Sequence, residues 1–340
     1  MDDLVITNNA GRPAVQAAGR RLWWHRVIVK ARTYAVLIMI AALGVFLTAE
    51  SSSFLTPVNI INIFNQNAYL LIIASALTLV IISGAFDLST GAMFAMSSVA
   101  AAWCARDPAF VQVFGTGAAL AVGPLIGLLL GLVNGVAITS LRIHSFLATL
   151  ATSLIFRGLA QELAGGNSIV LYGVPGVSWL GQGRIGLLYG AVVVMAVFCC
   201  AMAFLLHRTV YGRHVLAVGG NEEAAVLSGL HTRRIKIMAF SLVGLASGLA
   251  GSISLSRVLA AKAIDGAGYE FDAIAAVILG GTSIYGGAGS VWRSCAGVFL
   301  LALINNGFNI LQVDPFFKDL TKGLIIIFAV ALSASDRLRR

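Results

Sequence analysis

The chain has 340 residues, 59% of them hydrophobic and 11% charged, with a formal net charge of +9. Soluble domains carry about 25% charged residues, so this composition excludes an ordinary soluble globule and points to a bilayer as the solvent. The positive balance implies no nucleic-acid partner, because basic loops suit an anionic membrane leaflet.

Residues 51–86, 108–141, 163–183, 185–206, 237–256, 273–292 and 294–313 contain no Asp, Glu, Lys or Arg. Crossing the hydrocarbon takes roughly 20 apolar residues in a helix. Only helices or closed barrels satisfy the backbone there. Barrel strands would alternate apolar and polar residues, which these runs do not. The expected fold is therefore an all-α polytopic transmembrane bundle of about ten spans, within a range of eight to eleven. In chain order they fall near 33–49, 68–86, 91–105, 114–139, 145–164, 187–206, 237–258, 271–285, 291–311 and 321–335. The third and eighth are short and rich in small residues, as broken or half-spanning helices are.

Charge orients this layout. With the N-terminus inside, sixteen Lys and Arg fall in cytoplasmic segments; only Arg106, Arg184, Lys262, Lys318 and Lys322 fall outside. The positive-inside rule then places both termini in the cytoplasm. Residues 1–32 form a basic N-terminal segment, 33–336 the membrane domain and 337–340 a basic tail. Cys104, Cys199, Cys200 and Cys295 all lie in apolar segments without metal-type spacing, and read as small core residues.

Before the second span, Thr56-Pro57 reads as a helix start, with Thr as the cap and Pro in the first turn. Asn59, Asn62 and Asn65 follow at spacings of three, suggesting an interfacial helix with a polar stripe. The fourth span carries Gly123, Gly127, Gly131 and Gly135, which strip one helix face so that a neighbouring backbone can approach closely. Leu132-Val133-Asn134-Gly135-Val136-Ala137-Ile138 is echoed by Ile304-Asn305-Asn306-Gly307-Phe308-Asn309-Ile310. The copies face opposite sides in this layout, as an inverted repeat would require.

The longest polar stretch between spans is 207–236, expected in the cytoplasm. Within it, residues 221–229 read as a short helix. Asn221 caps it, Glu222 and Glu223 favour its positive end, and Gly229, after Ser228, ends it. Ala224, Ala225 and Leu227 offer a small apolar surface, suited to docking in a partner's groove or to a solvated linker.

This stretch, from Gly220 to Gly229, resembles the coupling loop of the ribose/xylose/arabinose-type permeases of ATP-binding-cassette importers, within the branched-chain amino acid/ribose permease superfamily. Further segments resemble the same family in the same order. They are Phe54-Leu55-Thr56-Pro57-Val58-Asn59, Ser83-Gly84-Ala85-Phe86-Asp87-Leu88-Ser89-Thr90-Gly91, Ser145-Phe146-Leu147-Ala148-Thr149-Leu150 with Arg157-Gly158, Leu279-Gly280-Gly281-Thr282-Ser283-Ile284-Tyr285-Gly286-Gly287-Ala288-Gly289, and Asn306-Gly307-Phe308-Asn309. The resemblance spans about residues 50–335. It departs at Ala85-Phe86, where the family usually has Gly-Ile, and at Tyr285, where it has a small residue.

The resemblance implies a bacterial plasma-membrane permease that pairs with a second permease subunit, the same chain or a close paralogue. A cytoplasmic ATPase would bind ATP and Mg and dock on the coupling loop, and a periplasmic or extracellular sugar-binding protein would deliver the solute. The chain has no Gly-Lys-Ser/Thr phosphate loop, so no cofactor or ATPase site is expected in it and coupling must be mechanical.

Intramembrane polar groups default to functional candidates. Asp87 follows the second span, as a cap of the third helix or a gate. Arg157 lies deep in the fifth span and needs carbonyls, water or an acidic partner. Arg257 sits near the outer end of the seventh and can snorkel. Asn134, Asn305, Asn306 and Asn309 suit interhelical hydrogen bonds. Asn134, Asn306 and Asn309, with Phe146, Tyr285, Phe308 and Phe316, are also pathway candidates, because amides and aromatic faces suit a sugar. Other small polar solutes (inositols, furanosyl signals, nucleosides) remain alternatives. An ion-coupled transporter would be expected to place a carboxylate within a span, and a membrane enzyme would need a catalytic cluster that the five histidines do not form.

Overall fold

A computed structural model describes residues 35–314 and, beyond them, 316–318, 320–321, 323–325 and 327. The basic segment 1–32, the tail 337–340 and most of the expected tenth span lie outside the described residues. The helices are α1 (Ala35–Glu50), α2 (Pro57–Ile82), α3 (Thr90–Arg106), α4 (Pro108–Leu141), α5 (Ser145–Leu163), α6 (Trp179–Gln182), α7 (Gly190–Arg208), α8 (Val210–Gly220), α9 (Glu222–Leu227), α10 (Thr232–Val258), α11 (Tyr269–Leu279) and α12 (Val291–Ile310). Among the described residues, α2, α4, α7, α10 and α12 are long and apolar enough to cross a membrane.

The expected interfacial helix before the second span is instead the start of α2, one continuous helix of 26 residues. Thr56 accepts a hydrogen bond from the Asn59 N–H at 3.3 Å and Pro57 occupies the first turn. Of the polar stripe, Asn59 finds its partner within the bundle. Asn59 and Asn306 exchange side-chain hydrogen bonds at 3.2 and 3.0 Å, tying α2 to α12.

Helix α4 runs for 34 residues and breaks its φ/ψ pattern at Gly115, whose φ is 79°. At about 1.5 Å per residue it exceeds a hydrocarbon core of about 30 Å, and the break marks off its first turns. Its four glycines lie against α10. A Cβ on Gly127 would come within 2.8 Å of the Gly248 Cα and collide with the Gly244 carbonyl. Gly131 faces Gly244, Gly123 faces Gly248 and Ser252, and Gly135 faces Ile237. Side-chain-free faces thus meet backbone to backbone over three turns.

Helices α2 and α10 run antiparallel, since Arg257 near the end of α10 reaches the Asn65 carbonyl near the start of α2 at 3.4 Å. One end of the bundle gathers the start of α2, the end of α10 and the excursion 164–189. That excursion is fastened by the antiparallel pair β1 (Ile169–Val170) and β4 (Ala260–Ala261), and by Gly181 N–H donating to Ser256 Oγ at 2.7 Å. It also contains the hairpin β2 (Arg184–Ile185) and β3 (Leu188–Tyr189). The other end gathers the end of α2, α8, α9 and the start of α12.

Between these ends, α3 and α11 start inside the bundle. A Cβ on Gly91 would collide with the Gly266 carbonyl and with Glu270 Oε2. From that meeting point α3 extends toward the first end. Helix α11 extends the other way, where Gly280 packs on the Arg293 and Ser294 backbone. The eighth expected span is therefore a helix of 11 residues. Gly281, Gly286 and Gly287, all at φ above 70°, turn the chain back into α12.

Candidate functional site: a coupling end and a buried polar break

The segment 207–236 folds into two helices rather than a loop with one. Helix α8 buries Val215 and Val218 against the bundle. Tyr211 donates to the Ile235 carbonyl at 3.1 Å, and burial pushes its phenol above the ordinary tyrosine range, so it stays a donor. Gly212, Gly219 and Gly220 hide this helix from propensity reasoning, yet Gly212 and Gly219 are what lets it pack. A Cβ on Gly219 would collide with the Ile82 carbonyl and lie 2.6 Å from the Gly287 N–H nitrogen. The same Ile82 carbonyl accepts from Gly287 N–H at 2.8 Å. Gly286 lies against Gly84 and Gly219. One junction thus joins the end of α2, the end of α8 and the turn before α12.

Helix α9 follows immediately. Asn221 Oδ1 accepts from Ala224 N–H at 2.9 Å, and Glu222 and Glu223 occupy the first turn, where the helix end attracts negative charge. Leu230 N–H bonds the Ala225 carbonyl and Gly229 N–H the Val226 carbonyl, with Gly229 at φ +81°. That is a Schellman ending, which needs a residue comfortable at positive φ. Ser228 Oγ donates to the Ala224 carbonyl at 2.8 Å. Glu222 pairs with Lys236 at 2.6 Å, anchoring α9 to α10.

The expected apolar face needs one correction. Ala225 is buried, at 5% exposure, and packs into the chain's own core with Ile235. The outward apolar residues include Val226 and Leu227, the latter 88% exposed. The inward turn of Ala225 follows from the Leu230 bond that folds the chain back onto α10. Tyr285, half exposed, lies on the turn beside Gly286 and therefore at this same end.

The second grouping sits at the break between α2 and α3. Asp87 is fully buried; its Oδ1 accepts from Ser89 N–H at 2.8 Å and Ser89 Oγ at 2.6 Å. Neither Asp87 nor Ser89 caps α3 through a side-chain bond to its first turns; Asp87 closes an Asx turn ahead of the helix. Asn134 of α4 donates to Ser89 Oγ at 2.7 Å. Two hydroxyls of α5 hold the same strand of chain: Ser145 accepts from Phe86 N–H and Thr149 from Leu88 N–H, each at 3.0 Å. Among the described residues, Asp87 Oδ2, Asn134 Oδ1 and Thr90 Oγ1 find no hydrogen-bond partner. Arg157 finds the Ala263 carbonyl at 3.1 Å and interacts electrostatically with Glu270. Its hydrogen-bond partner is thus a carbonyl.

The other expected site residues are dispersed. Phe146 is 45% exposed and Phe316 84% exposed; Phe308 is half-buried. Asn306 is occupied by Asn59, and Asn309 accepts from Lys318 at 2.6 Å. The Arg257 guanidinium lies over the Tyr69 ring, 5.4 Å from the centroid. Sequence reasoning missed Gly244 and Gly248, although Gly244-x-x-x-Gly248-x-x-x-Ser252 carries the same small-residue spacing as α4. It also missed Tyr69, Tyr269 and Glu270, whose spacing in sequence gives no sign that they meet.

A many-span helical bundle with two half-length helices back to back is the build of a membrane transport subunit. The family described as branched-chain amino acid transport system / permease component matches residues 59–330, and the chain belongs to it. It is 38% identical to the ribose import permease protein RbsC of Bacillus subtilis (strain 168), over 94% of this chain and 97% of that protein. It is 34% identical to the D-allose transport system permease protein AlsC of Escherichia coli (strain K12), over 93% of each. With the L-arabinose transport system permease protein AraH of the same strain it shares 32%, over 96% of this chain and 95% of that protein. No solved structure matches. The chain is a multi-pass permease of the bacterial plasma membrane.

Proposed function

We propose that this chain is the membrane-spanning subunit of an ATP-binding-cassette importer that moves a monosaccharide into the cell. A separate ATPase, binding ATP and Mg, docks on α8 and α9; two permease subunits pair in the membrane; a binding protein delivers the sugar outside. The end of the bundle carrying α9 faces the cytoplasm, as the distribution of Lys and Arg favours.

The observation that carries this reading is the glycine junction at Ile82. An exposed, doubly capped helix is of little mechanical use unless its displacement reaches the bundle. Here α8 abuts the end of α2 and the turn before α12 without intervening side chains. A partner whose contacts with α9 differ between nucleotide states would therefore bias where α2, α11 and α12 sit. The names of the relatives, which carry ribose, allose and arabinose, support a pentose or hexose as cargo.

Proteoliposomes holding the permease test this directly, loaded with ATP, with and without a cognate ATPase and sugar-binding protein. Uptake of D-ribose, D-allose or L-arabinose is expected only from the complete set. Accumulation against a gradient by the permease alone would overturn the reading.

A further inference from the structure

An aromatic cluster where α2, α3, α10 and α11 meet has no part in the coupling described above. Tyr69 and Tyr269 stack with centroids 4.8 Å apart and planes 16° from parallel. Phe94, buried to 1% exposure, meets Tyr69 edge-on at 6.2 Å and Tyr269 at 5.2 Å. Arg257 covers Tyr69 and reaches the Asn65 carbonyl. Asn65 stands one turn before Tyr69 on the same helix face. It is 8% exposed, and its side-chain oxygen has no hydrogen-bond partner. Among the described residues Glu270, next to Tyr269, likewise leaves Oε2 buried without one, against Gly91 of α3, one turn before Phe94.

Packing alone gives no reason to keep two orphaned acceptors beside stacked rings, since each buried unpaired group destabilises the fold. A neutral polyhydroxylated ring does. Its hydroxyls donate as well as accept, so they satisfy Asn65 Oδ1 and Glu270 Oε2 and can take a bond from Arg257. Its C–H face is weakly positive and suits the negative face of an aromatic ring. A fully apolar solute would leave the acceptors stranded.

The rings now touch, so the way between them is shut. Helix α11 has the means to shift: it is short, and Gly266, Gly268 and Gly281, all at positive φ, flank it. We propose that Tyr69 and Tyr269 form a gate across the solute path, and that on parting they hold a monosaccharide ring between them, with Asn65 and Glu270 accepting from its hydroxyls and Arg257 donating. This rests on the importer reading.

The test uses the complete reconstituted importer and labelled D-ribose, D-allose and L-arabinose, with ATP hydrolysis followed in parallel. Tyr69→Ala and Tyr269→Ala are expected to cut uptake about tenfold, the scale of one lost stacking or hydrogen-bond contact, while hydrolysis stays within about twofold. Tyr69→Phe and Tyr269→Phe keep the ring face and most of the uptake. Alanine variants that transport like the wild type would overturn the gate. Should they fail to assemble, Tyr69→Cys with Tyr269→Cys, in a background lacking the native cysteines, decides the matter. Uptake that stops on cross-linking and returns on reduction supports the gate, and uptake that persists in the linked protein overturns it. Wild-type importer that accumulates none of the three sugars would instead remove the importer reading beneath it.

Discussion

Ser89 depends on Asp87 for an acceptor to both its N–H and its hydroxyl proton, in a site with no water-facing surface. Asp87→Ala therefore strands two buried groups, a loss of about 1–3 kcal/mol, and should lower the thermal midpoint of the purified protein by several degrees. Asp87→Asn keeps an acceptor oxygen and is expected to lose much less; equal losses for both would count against the Asx turn. Caps and turns of this kind were legible where the chemistry is local. Asn221, Gly229 and Thr56 all act within four residues of themselves, and each does what its residue type suggests. Ala225 was not legible, because its burial depends on Leu230 folding back toward α10 and on the company of Ile235. Its replacement by a bulky charged residue would therefore disturb the permease's own core before it disturbed any docking. Leu227→Asp is the cleaner probe, since the side chain is 88% exposed. It should leave yield and melting unchanged while lowering ATP-driven uptake several-fold through a lost apolar contact worth about 1–2 kcal/mol.

Helices α4 and α10 show how an element's sequence specifies its neighbour. Four glycines at intervals of four oppose a second ladder at Gly244 and Gly248, and in lipid such close contact supplies the packing that a hydrophobic driving force cannot. Gly127→Leu puts a side chain where even a Cβ collides with backbone. Overpacking of this sort costs about 1–3 kcal/mol or more, so detergent-solubilised variant protein should melt earlier or elute as aggregate; normal melting and uptake would remove the ladder from the account. Elements with strong periodicity or long apolar runs were readable in sequence. Helix α8 was not, because its three glycines argue for a loop until Gly219 is seen against Ile82. The join between the supposed interfacial helix and the second span was hidden for a related reason: Asn59, which looks water-facing, is satisfied by Asn306 of α12.

For the whole molecule, the charge-free runs located the long helices, while the depth at which α3 and α11 begin could not be read from composition. Their first turns meet through Gly91, Gly266 and Glu270, contacts far apart along the chain. The echo between the ends of α4 and α12 lies at opposite ends of the bundle. The first copy packs on the start of α10 at Ile237 and the second on the start of α2 at Asn59, and α2 and α10 run antiparallel. A membrane-impermeant thiol reagent gives the orientation. With Leu227→Cys in a background lacking native cysteines, labelling is expected in inside-out vesicles and absent in intact cells; the reverse pattern would place α9 on the wrong side for an ATPase.

The junction at Ile82 also bears on how such subunits can be recombined. Residues 207–236 look like a portable adaptor, a cassette that could be grafted to make the permease answer to a different motor. Yet Gly219 fits only because the Ile82 backbone and the side-chain-free Gly286 and Gly287 leave room for it, from two remote stretches of the chain. A transplant of the adaptor alone should give a hybrid that reaches the membrane but idles, and moving the 279–289 turn along with it should restore the drive.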